Sequence, residues 1–174
     1  MAVEKTDRSK WTPSSEYERW AWVGLQYTKM MLSRGPANQG IRPLEYMATA
    51  LARTQYQFSN GVTGIAEQEM VYRGALKIKT GNCSEHAAVA FIYLHRLGIR
   101  PLAVFGYPGT GGGHMMCAVG LDLDSPNFTM GVDAERLRKD LSWVCDPWKN
   151  VCYPGREFAH RENRFDLQIQ AVST

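Results

Sequence analysis

Cys83 follows a Thr80-Gly81-Asn82 turn and opens a long apolar run. With Asn82 as N-cap, Glu85 falls three residues later, where its carboxylate reaches back in a capping box. Cys83 then lies in the first helical turn, whose unpaired N–H groups and positive dipole end favour the thiolate, the reactive form of cysteine. Cys83, Ala87, Ala90, Phe91, Leu94 and Leu97 share one face of that helix, while Ala88, Val89 and Ile92 occupy the other. A helix apolar nearly all round is a buried helix, and its start is a rigid place for a reactive group. A thiol also needs a base, and the base needs an acceptor for its second ring nitrogen. His114 supplies the first at the entrance of an apolar strand, behind three consecutive glycines. Asp146 supplies the second at a strand end, before Pro147, which cannot continue a ladder. The catalytic set read from these positions is Cys83, His114 and Asp146.

Other chemistry is open to the same residues. Cys83 and His86 form a C-x-x-H pair that Cys145 and Cys152 would complete as a zinc site. However, those two cysteines have six residues between them, where structural zinc pairs have about two to four. The triad is also compatible with an idle, binding-only module. If it is active, the thioester on Cys83 passes its acyl group to water or to an amine, and the triad alone does not choose between them. Several residues read more plainly. His86 packs on neighbouring side chains, His95 and His160 lie at the surface, and the "YERWAW" aromatics form the buried face of the first helix. Trp143 belongs to the core, Trp148 walls a groove, and Arg96 and Lys149 need no special role.

The elements that must position this chemistry divide the chain in two. Residues 1–13 read as a polar, flexible tail ending in Pro13, and residues 14–174 as one domain. A helix capped by Ser14 or Ser15 runs towards Gly35-Pro36. A second begins at Pro43 with Leu44, Met47, Ala48 and Leu51 on one face, and a weaker third breaks near Gly74. After the Cys83 helix come the apolar runs "RPLAVFGYPG", "HMMCAVGLDLD", "LSWVCDPW" and "NVCYPG", which read as strands of a small antiparallel sheet. The fold class is therefore α+β. The 174 residues carry a net charge of only +3 with the signs mixed, which argues against a nucleic-acid partner. The N-terminus lacks a signal-peptide core, and no run reaches the roughly 18 apolar residues of a membrane span. The four cysteines read as reduced thiols, which suits a cytoplasmic protein.

The segments "GNCSEHA", "GGHMMCAVG" and "VCDPW" together resemble the transglutaminase-like branch of the papain-like cysteine hydrolases. That resemblance implies a central buried helix packed on a small antiparallel sheet, with a helical N-terminal half. It also implies Cys83 as nucleophile, His114 as general base and acid, Asp146 as orienting group, and no cofactor. The compact size and the "NCxEHA" and "CDPW" wording look most like bacterial effector and toxin deamidase or protease domains. By that likeness the partner is a protein substrate, including one in a host cell reached without a classical signal peptide. The chain departs from the papain pattern in lacking a glutamine a few residues before the cysteine. Asn82, Gln55 and Gln68 stand as candidates for the second oxyanion donor, none of them assigned.

Overall fold

A computed structural model describes residues 15–39, 42–57, 64–108, 113–121, 132–133, 137, 141–163 and 166–174. The proposed tail at 1–13 lies outside the described residues. Among the described residues, four helices, α1 (Glu16–Met31), α2 (Pro43–Gln57), α3 (Gly64–Ile78) and α4 (Cys83–Arg96), precede the first strand. The strands are β1 (Leu102–Tyr107), β2 (His114–Val119), β3 (Val132–Asp133), β4 (Trp143–Asp146), β5 (Val151–Pro154) and β6 (Asp166–Ser173). A short α5 (Phe158–Glu162) precedes β6. The sheet is antiparallel throughout, in the order β3-β6-β1-β2-β4-β5. This is the α+β organisation expected from the sequence.

Period-two alternation divides the sheet's side chains between two cores. Leu102 and Val104 of β1, Cys117 and Val119 of β2, and Cys145 of β4 join α1, α3 and α4 in one cluster. Their neighbours Ala103, Phe105, Met116, Ala118 and Val144 face the opposite way and pack with Tyr153, Leu137 and Phe158 of α5. Within the first cluster, α4 is enclosed almost completely, with residues 85–92 and Leu94 all buried. It forms for the reasons its sequence gives: an Asn82 cap, Glu85 in the first turn, and His95 and Arg96 in the last.

Four details differ from the sequence reading. Helix α3 runs unbroken through Gly74, because its packing against α2 and α4 outweighs a glycine cost of about 1 kcal/mol. The buried seam of α1 consists of Glu18, Ala21, Gly24, Leu25 and Thr28, with Tyr17, Trp20 and Trp22 only half-buried at its flanks. Small residues let α1 approach α4 closely: a Cβ on Gly24 would sit 3.0 Å from Leu94 Cδ1. Helix α2 turns Leu44, Met47 and Leu51 to solvent and buries Thr49 and Ala52 instead. Finally, the unanticipated β6 fills the sheet beside β1, and a register shift there sends Leu167 and Ile169 into the Phe158 core and Ala171 into the α4 core.

Candidate active site

Helix α3 ends at Ile78, and Lys79 reverses the chain in a left-handed conformation at φ 59°. Thr80 Oγ donates to Gly35 O at 2.6 Å, Arg34 N to Lys79 O at 3.0 Å, and Ala37 N to Gly81 O at 2.8 Å. The segment after α1 therefore runs alongside the residues that lead into Cys83. Gly81 is required there, since a Cβ would lie 2.3 Å from Glu85 Cβ. The Glu85 carboxylate accepts from Asn82 N at 2.8 Å, forming the tight half of the capping box. Asn82 Oδ1 meets its own helix only loosely and is buried without a well-formed hydrogen bond. Arg53 of α2 clamps this turn, with Nε on Glu85 Oε1 at 2.7 Å and a second nitrogen on Ser84 Oγ at 2.9 Å. Cys83 is thus held at the mouth of α4, half-buried, with its sulfur 3.9 Å from Gly113 O.

His114 is the first residue of β2, and Asp146 is the last of β4. Register pairs Cys117 with Cys145 and Ala118 with Val144. Continued by one residue, it sets Asp146 across from Met116 and on the same face as His114, one diagonal step away. The side chains meet: His114 Nε2 lies 2.6 Å from Asp146 Oδ2, with Asp146 fully buried and His114 6% exposed. A carboxylate only accepts, so Nε2 carries the proton and Nδ1 is left for Cys83. Burial by itself lowers the His114 imidazole, but hydrogen bonds to Asp146 and to the Cys83 thiol, with both charges, push it up to about 9. The second Asp146 oxygen accepts from Lys149 N at 3.1 Å. Gly113 lets the chain entering β2 lie close on the end of β1, because a Cβ there would sit 2.5 Å from Tyr107 O.

Trp148 walls the site as its position suggests. Its ring lies 5.1 Å from the His114 ring. Its indole N–H donates to Asn38 Oδ1 at 2.8 Å, and its carbonyl accepts from Gln39 Nε2 at 2.9 Å. Asn38 and Gln39 escaped sequence reasoning because they stand more than forty residues from Cys83 in a polar turn. Of the earlier oxyanion candidates, Asn82 is the cap described above, Gln68 is buried on α3, and the Gln55 side chain is outside the described residues.

The remaining cysteines and histidines have other surroundings. Cys117 and Cys145 are fully buried, and burial pushes both thiols well up. Cys145 stands opposite Cys152 across the β4–β5 ladder. His86 is buried, so its imidazole falls below the ordinary value, and its Nδ1 lies 2.8 Å from Asn82 O. Half-buried His95 meets Ser173 Oγ at 2.9 Å. Among the described residues no three His, Cys, Asp or Glu side chains are grouped to hold a metal. Cys83, His86, Cys145 and Cys152 accordingly do not converge on one point. No helix among the described residues is long and apolar enough to cross a membrane. An apolar groove of about 670 Å³ runs along α1 between Arg19, Trp22, Tyr27, Met30 and Tyr93, and it includes none of the triad residues. The chemistry, rather than cavity size, therefore marks the site. No protein-family model matches the chain, and the search of curated proteins found no match.

Proposed function

We propose that the protein is a cysteine-dependent amide hydrolase with a papain/transglutaminase-like site, acting on a protein substrate. One observation carries this reading. The His114 imidazole sits between the buried Asp146 carboxylate, 2.6 Å away, and the Cys83 thiol at the mouth of an enclosed helix. The raised proton affinity of His114 makes it a base able to take the proton of the Cys83 thiol. In the proposed course, the Cys83 thiolate attacks the carboxamide carbon, and the oxyanion forms against the backbone N–H of Cys83, which has no partner within its own helix. Asn38 is the second donor. Its side-chain oxygen accepts from the indole N–H of Trp148, whose ring lies beside His114. His114 passes its proton to the departing amine, the C–N bond breaks, and a thioester remains. His114 then takes a proton from water, and the hydroxide equivalent releases the acyl group and restores the thiol.

Side-chain glutamine deamidation stands ahead of peptide cleavage in this proposal. Iodoacetamide labelling at neutral pH tests the premise: Cys83 should alkylate far faster than Cys117, Cys145 or Cys152. Uniform, slow labelling of all four refutes the enzyme reading. Intact-mass analysis of candidate substrate proteins then fixes the subtype. Deamidation adds about one dalton, whereas fragments identify a protease and amine conjugates a transglutaminase.

A further inference from the structure

We propose that Glu162 is a positioning residue for this site, holding the outer side of the His114–Asp146 pair through Tyr107 and Lys149. The inference rests on the hydrolase reading and extends it to a residue at the end of α5, remote from all three motifs. The Glu162 side chain is only 4% exposed and gathers three donors. Tyr107 Oη donates to it at 2.7 Å, Lys149 Nζ reaches its two oxygens at 2.8 and 2.6 Å, and Tyr153 Oη donates at 3.3 Å. Burial alone would raise this carboxyl, yet hydrogen bonds from Lys149 and Tyr107, with the charges of Lys149 and His114, hold it below the ordinary value.

Each of the first two partners leads back to the reacting groups. Tyr107 is the register partner of His114 and presents its ring edge-on to the imidazole at 6.1 Å. Lys149 donates its backbone N–H to Asp146 Oδ1, so its side chain and main chain join the two carboxylates. The sequence reading gave Lys149 no role, and the structure corrects that. Charge balance supplies the second half of the argument. Described groups with charge or titratable protons around the pair are Asp146 of β4, Cys83 and His86 of α4, Tyr107 of β1, Tyr153 of β5, Lys149 of the β4–β5 turn, and Glu162. Lys149 is the fixed positive charge bonded to Glu162, and Glu162 neutralises it. Without the carboxylate, an ammonium faces the imidazolium that the thiolate requires.

The test compares wild type, Glu162→Gln and the double variant Glu162→Gln/Lys149→Met. Two readouts are used: the His114 titration followed by NMR, and the pH profile of Cys83 alkylation. Glu162→Gln should weaken proton binding by His114 about tenfold and move the basic limb of the alkylation profile to lower pH. Removing the lysine in the same background should restore both to within about twofold of wild type. A merely structural role would leave the titration unmoved, or would worsen it in the double variant. A wild-type titration in Glu162→Gln, or no rescue by Lys149→Met, overturns the proposal. Slow wild-type labelling of Cys83 instead sinks the hydrolase reading. The NMR titration still decides whether Glu162 sets the proton affinity of His114.

Discussion

Helices α4 and α2 are nearly equal in length, 14 and 15 residues, and both carry apolar residues at helical spacing, yet the molecule treats them oppositely. Helix α4 lies between α1, α3 and the sheet, and every residue from Glu85 to Ile92 is buried. Helix α2 packs on α3 and buries Thr49 and Ala52, while Leu44 and Leu51 remain 77% and 64% exposed. Its Arg53 reaches the Ser84–Glu85 turn beside Cys83. Apolar periodicity selects a face for burial only when a second layer arrives to cover it. For α4 three elements do so. For α2 the ion pair at its C-terminal half and the small residues beside it decide which side is turned inward.

Mutations can sharpen or break this contrast. The largest effect is expected within the α4 and sheet region: Asp146→Asn should reduce turnover by about 10²- to 10⁴-fold, because the imidazole loses its orienting acceptor. Steady-state kinetics checks this once a substrate is found, and the Cys83 alkylation rate checks it without one. Asn38→Ala should cost about 10²-fold or more in kcat with little change in KM, as expected for an oxyanion donor.

Stability should follow the same division. Arg53→Met removes the cation paired with the Glu85 carboxylate, 1% exposed, and should destabilise the protein by about 3 kcal/mol in urea denaturation. Leu94→Ala in the enclosed helix should cost about 2–5 kcal/mol, whereas Leu44→Ser or Met47→Ser on α2 should stay within about 0.5 kcal/mol. A comparable loss at Leu44 would show that the α2 stripe is covered after all.

The pH dependence is signed by His114. Its folded value of about 9 lies above the ordinary 6.5, so the stabilisation is fully present below pH 6.5 and is lost as pH rises through 9. Its ceiling is about 3 kcal/mol, and Asp146→Asn should flatten most of it. Urea midpoints measured between pH 6 and pH 9.5 give the comparison.

The local features of the site were legible in the chain. Asn82, Cys83 and Glu85 announce a capped, buried helix. His114 behind its glycines and Asp146 before Pro147 mark strand ends, and the structure puts them there. Strand β6 could also have been found, since "FDLQIQAVST" alternates apolar and polar residues in the way a half-buried strand does. Glu162, Tyr107 and Asn38 carried no such signal. Each is an ordinary polar or aromatic residue whose meaning comes from a partner 55 or more positions away.

The sequence by itself determined the capped helix, the strand ends and the residue types able to do thiol chemistry, because caps, breakers and periodicity act over a few residues. Tertiary structure decided the rest. It chose which face of α2 met solvent, which strand flanked β1, and which carboxylate balanced Lys149. Those outcomes depend on layers and charges meeting across long chain separations, and no local pattern records them.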